Sequence, residues 1–285
     1  MKADAMKFGP GDIRTGKRWH AIETRHYVVM FDNSARQLTD PKRFAAGAER
    51  RLKAIAKVLG LRKDGPDGRY ALRGAIPYFV HDPKVLSYGN VEFRGIDVPA
   101  TGKDNAFYQH EEAHAVLTWS AGTPPSLFNE GFACYASRPK YDGNHRCSLV
   151  GVRHGFVPVL TEIAWSDGFW KHYKTYKPFM YRVAGSFVAW TFAEYGREPF
   201  LRFAARCGFD ATRPQVLAEF RKAYGVPLGT AEQAWQAWLL SRREELAMSS
   251  RRRMGNISEA EWERSRVQMV RDALTHGSVR APGEA

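Results

Sequence analysis

His110-Glu111-Glu112-Ala113-His114 sets two imidazoles four residues apart around a pair of carboxylates. On a helix that spacing puts both rings on one face, one turn apart, so two ring nitrogens can reach a single metal ion at about 2 Å. Glu111 lies about 100° around the helix from His110, beside such an ion rather than on it. A base must stand there to take a proton from an attacking water. The plainer reading is a satisfied histidine pair on an ordinary helix.

The residues that follow favour the metal. Ala115-Val116-Leu117-Thr118-Trp119 continues an apolar helix, and Ser120-Ala121-Gly122-Thr123-Pro124-Pro125 stops it. Ser126 is the expected cap of a second helix, which begins Leu127-Phe128-Asn129-Glu130-Gly131-Phe132-Ala133-Cys134-Tyr135-Ala136. A helix, a tight turn and a returning helix bring Glu130 back toward the two histidines. Catalytic zinc sites take three protein ligands and keep one position open, and His-His-Glu is such a set.

Leu127-Phe128-Asn129-Glu130-Gly131-Phe132-Ala133 resembles the Asn-Glu-Gly-x-Ala signature of the gluzincin metallopeptidases, among them the aminopeptidase-N family and shorter bacterial peptidase MA-like proteins. The resemblance implies His110, His114 and Glu130 as ligands of one Zn2+ ion, Glu111 as general base, and a thermolysin-like catalytic domain. It extends, less specifically, from about His26 to Leu240. Fifteen residues separate His114 from Glu130, fewer than in the aminopeptidases, which points to the shorter relatives. Tyr181-Arg182-Val183-Ala184-Gly185-Ser186-Phe187-Val188-Ala189-Trp190, closing on Tyr195-Gly196, is similar to the family helix behind the ligands. The resemblance there implies Tyr181 as a donor to the oxyanion of the tetrahedral intermediate, a task that suits a neutral phenol with an apolar body. An aromatic core position is the alternative, because Tyr173, Tyr176 and Phe179 crowd the same region. Gly89-Asn90-Val91-Glu92-Phe93-Arg94-Gly95 is only faintly similar to the segment with which aminopeptidases hold a free amino group. A turn and edge strand fit it better, and exopeptidase action is not expected.

At 285 residues the chain can bury one sizeable core, arranged as two lobes about a cleft. A hydrophobic content of 44% with 13% aromatics excludes a disordered chain. No run of about twenty apolar residues is present, so no transmembrane segment is expected. Met1-Lys2-Ala3-Asp4-Ala5-Met6-Lys7 lacks the apolar centre of a signal peptide, which gives a cytoplasmic expectation. Cys134, Cys147 and Cys207 form no Cys-x-x-Cys pair, which excludes a zinc ribbon and argues against a disulfide framework. The formal net charge is +13, with basic clusters at Lys42-Arg43, Arg50-Arg51, Arg62-Lys63 and Arg251-Arg252-Arg253. Such charge suits an acidic peptide, an anionic surface or nucleic acid. A solvated basic surface accounts for it more simply, so nucleic acid is not favoured as a partner.

Tyr27-Val28-Val29-Met30-Phe31 and Ile76-Pro77-Tyr78-Phe79-Val80 read as strands. Between them, Asp40-Pro41 opens a helix that runs through Leu59 and stops at Gly60. Gly95 to Asn105 reads as a polar link into the histidine helix. From Ser126 onward the pattern is mostly helical, with segments 178–195, 197–206, 212–224 and 230–245 punctuated by glycine and proline. Trp235, Trp238 and Leu239 recur at helical spacing and belong to a core. The expected fold is α+β, in three parts. An N-terminal α/β lobe over 20–125 packs a small mixed sheet on the histidine helix. A mainly helical lobe over 126–248 carries the third ligand, and a basic link with a C-terminal helix and tail covers 249–285. The expected function is zinc-dependent hydrolysis of peptide bonds in a peptide or protein substrate, an acidic one being compatible with the charge. The alternatives are the same zinc fold acting on a non-peptide amide or specialised small molecule, a DNA-associated protease, and a binding protein that keeps the scaffold.

Overall fold

β-branched and aromatic runs build a small sheet near the N-terminus of the computed structural model, which describes residues 19–64, 69–82, 95–100, 106–138 and 142–246, together with 261, 264, 265, 267 and 268. β1 (Trp19–Glu23) pairs antiparallel with β2 (Tyr27–Asp32). α1 (Asn33–Leu38) and α2 (Pro41–Leu59) follow, then a minor antiparallel pair, β3 (Lys63–Asp64) and β4 (Arg69–Tyr70). β5 (Ile76–His81) and β6 (Ile96–Pro99) complete the main sheet in the order β1-β2-β5-β6, with β2, β5 and β6 mutually parallel. Tyr27, Val29 and Phe31 of β2 and Ile76, Tyr78 and Val80 of β5 are fully buried. These alternate positions share one face of the sheet, whereas Val28 and Phe79 on the other are half-buried.

α2 has the ends its sequence prescribes. Asp40 Oδ1 accepts from the Lys42 and Arg43 amides, Pro41 occupies the first turn, and Gly60 stops the helix at φ 65°. In the main sheet, two strands depart from expectation. Residues 96–99 form β6 and not a polar link, because Ile96 and Val98 alternate inward, over too few residues to register as a pattern. β1 carries no comparable alternation and is held by pairing to β2.

The remaining elements are helices: α3 (Ala106–Ser120), α4 (Ser126–Ser137), α5 (Gly143–Arg153), α6 (Leu160–Ile163), α7 (Ser166–Tyr195), α8 (Arg197–Arg206), α9 (Arg213–Tyr224) and α10 (Leu228–Ser241). α7 starts well before residue 178 and is kinked at Tyr176, where φ is −108° and ψ is 16°. Pro178, two residues on, has no amide hydrogen to continue the ladder. Helix packing is closest between α4 and α7. A Cβ on Gly131 would stand 2.6 Å from the Ala184 carbonyl, and one on Gly185 would stand 2.8 Å from Cys134 Cβ. The apolar core is continuous from Tyr27 through α3, α4 and α7 to Leu246, and Trp235 and Leu239 lie in it, fully buried.

All three cysteines are free thiols. No helix among the described residues is long and apolar enough to cross a membrane. The expectations for 249–285 fall outside the described residues except at five helical positions, and those for 89–94 fall outside them entirely.

Candidate metal centre

α3 is fixed about its own axis before its histidines are considered. Glu112 points about 200° around the helix from His110 and is fully buried. Its carboxylate accepts from Arg51 Nε at 2.9 and 3.0 Å, from Arg51 Nη2 at 2.7 Å and from the Tyr78 hydroxyl at 3.1 Å. The Arg51 guanidinium lies 5.6 and 5.4 Å from the Phe44 and Tyr108 ring centres. The Tyr108 hydroxyl donates to the Pro99 carbonyl at 3.0 Å, which ties α3 to the end of β6. A buried charge stays ionised only when paired and hydrogen-bonded, and Glu112 is both. The second acid of the motif is therefore the anchor of α3. The spacing of the motif does not distinguish that role.

The turn to α4 depends on Gly122, whose φ is 151° and whose missing Cβ would meet the Ala204 carbonyl at 2.5 Å. Ser126 does not cap α4. Pro125 holds the cap position, and its carbonyl accepts from the Phe128 and Asn129 amides. Ser126 is the first helical residue, its amide donating to Ser166 Oγ at 3.2 Å. At the far end, Gln109 Nε2 donates to the Ala136 carbonyl at 2.9 Å and straps the start of α3 to the end of α4.

Between these fixed helices the three expected ligands meet. His110 Nε2 and His114 Nε2 are 3.2 Å apart, and Glu130 Oε2 is 3.3 Å from each. They form the only such group among the described residues. A tetrahedral ion with bonds of about 2.0–2.1 Å requires donor separations of about 3.3–3.4 Å. Glu130 Oε2 is buried and faces only the two imidazole nitrogens, without a well-formed hydrogen bond to either. The donor set and the spacing both fit zinc.

Asn129 completes the arrangement. Its Oδ1 is 2.9 Å from His114 Nδ1, so Nδ1–H donates to it and the Nε2 lone pair is turned toward Glu130 and His110. Asn129 stands inside the signature noted in the sequence, but its role was legible only once α3 and α4 were placed. Its clue is a buried amide directly before a ligand.

His114 and Glu130 shift each other electrostatically. In the metal-free chain, burial alone would lower the His114 pKa, but the adjacent Glu130 carboxylate prevails and raises it to about 9, with Glu111 and Asn129 adding to the effect. Burial alone would raise Glu130, yet His114 and His110 hold it down at about 2. Burial and the charge of Glu130 push the Cys134 thiol up to about 12, which leaves it protonated and inert beside the cluster. Glu111 is half-buried and close enough to His114 to act on its charge. Tyr181 is brought to the cluster too, its ring centre 6.2 Å from that of His110. Its hydroxyl shares a hydrogen bond with Tyr173, and burial followed by the charge of Glu130 moves the phenol far above its ordinary pKa. Tyr181 thus belongs to an aromatic group and to the rim of the site at once. Of the other histidines, His26 is paired with Glu49, His81 with Asp97, and His145 with Ser186.

No protein-family model, curated protein or solved structure matches this chain.

Proposed function

We propose that this protein is a zinc metallopeptidase of the gluzincin type, with the catalytic arrangement of a thermolysin-like domain. The observation that carries the proposal is the 3.2–3.3 Å triangle of His110, His114 and Glu130 donor atoms. Those three residues would hold the ion. A bound zinc supplies Lewis acidity toward a carbonyl oxygen and makes water a better nucleophile near neutral pH. Glu111 takes the proton of the water that attacks the scissile carbonyl and delivers it to the leaving amine. Tyr181, held neutral by burial, donates its hydroxyl hydrogen to the oxyanion as negative charge develops there. Asn129 keeps His114 in the tautomer that ligation requires.

A digest of a diverse peptide library, read by mass spectrometry with and without chelator, tests the proposal together with elemental analysis. We expect one zinc ion per chain, cleavage abolished by chelator, and cleavage restored by added zinc. Glu111→Gln should retain the zinc and lose turnover. Undiminished cleavage by that variant, or no cleaved peptide from zinc-loaded protein, would overturn the assignment.

A further inference from the structure

Four rings run in sequence from solvent to the metal centre. Trp170 contacts Tyr173 at 5.2 Å between ring centres, Tyr173 contacts Tyr181 at 5.5 Å, and Tyr181 contacts His110 at 6.2 Å. All three contacts are tilted or edge-on, at 66°, 84° and 74°. Fully buried Phe169 supports the rail from beneath, touching Trp170, Tyr173 and Tyr181. The rail straddles the kink at Tyr176, so the two arms of α7 present one continuous aromatic edge.

The outer end of this rail packs on Phe169 and Tyr173 with one side and meets solvent with the other. Trp170 is 41% exposed, between the exposed charges of Asp167 and Lys171. Exposed large aromatics continuous with a polar site mark a surface that receives a ligand. The three ring-to-ring steps span at most about 17 Å, the reach of about five extended residues. An extended peptide held at the metal centre therefore reaches Trp170 within about five residues.

We propose that the Trp170–Tyr173–Tyr181 rail is a specificity surface for an extended peptide, on which Trp170 receives an aromatic side chain up to about five residues from the scissile bond. The proposal rests on the peptidase reading and names the substrate feature which that site selects. An aromatic residue suits the rail because another edge-to-face contact extends a series the protein already makes, at little entropic cost.

The test aligns the cleavage sites of the library digest. We expect aromatic residues enriched about tenfold at one fixed offset from the cut, within five residues of it. Trp170→Ala should remove that enrichment and Trp170→Phe should keep it. Cleavage without an aromatic preference, or a preference unchanged in Trp170→Ala, overturns the inference and leaves the peptidase reading standing. If zinc-loaded protein cleaves nothing, the peptidase reading falls and binding decides the inference. Zinc-loaded Glu111→Gln should then bind a decapeptide with one phenylalanine about tenfold tighter by calorimetry than its alanine counterpart. Adding Trp170→Ala should erase the difference, and equal affinities in the single variant overturn the inference.

Discussion

At the scale of single residues, the proposed centre would separate holding an ion from aiming its ligands. Asn129 is not one of the three proposed ligands, yet its bond to His114 Nδ1 decides which nitrogen of that ring faces the cluster. Asn129→Ala should therefore lower zinc affinity by about 10- to 100-fold while the fold persists, as read by competition against a chromophoric chelator. Affinity within twofold of the parent would show that His114 needs no orienting group. The metal-free pair also has a pH signature of its own. The His114 pKa is raised from 6.5 to about 9, so its stabilisation is complete below 6.5 and is lost as pH rises through 9. The Glu130 pKa is lowered from 4.5 to about 2, so its stabilisation is present above 4.5 and is lost as pH falls through 2. The thermal midpoint of chelated protein should thus decline between pH 6.5 and 9, and Glu130→Gln should flatten that decline. An equally steep decline in the variant would place the titration elsewhere.

At the scale of elements, the ligand set depends on how closely α4 lies against α7. A methyl on Gly131 would press on the Ala184 carbonyl and Val188 Cγ2, each 2.6 Å from the added atom. Gly131→Ala should cost about 1–3 kcal/mol of stability and weaken zinc binding as well, because Glu130 is the preceding residue of the moving helix. A destabilised variant with unchanged zinc affinity would mean that α4 tips without displacing Glu130. Elements with local punctuation were legible in the sequence: α2 carries Asp40, Pro41 and Gly60, and the break between α3 and α4 carries Gly122, Pro124 and Pro125. Elements defined by partners were not. β1 and β6 exist through pairing, and the strands themselves are too short for a periodic signal. The same division runs through the centre. That His110, His114 and Glu130 would meet could be read from type and spacing, whereas Glu112 needed Arg51, sixty-one positions away, to reveal its role. Ser126 was misread because a good capping side chain beside Pro125 looks the same in sequence whether it stands at the cap or one place inside.

At the scale of the molecule, one apolar core joins the sheet to the helical half, and the His110-His114-Glu130 cluster lies between helices that both belong to it. Unfolding should accordingly proceed in a single calorimetric transition, with chelator lowering its midpoint but not splitting it. Two resolved transitions after chelation would show that the halves are coupled through the ion alone. The helices bearing the ligands are clamped at both ends, by Gly122 wedged against the Ala204 carbonyl and by the Gln109 strap to the Ala136 carbonyl. If the proposed site holds a metal, a gap set in this way would work as a size gauge. Ions bonded at about 2.0–2.1 Å match donors 3.2–3.3 Å apart, whereas calcium, at about 2.3–2.6 Å, would have to force α3 and α4 apart against both clamps.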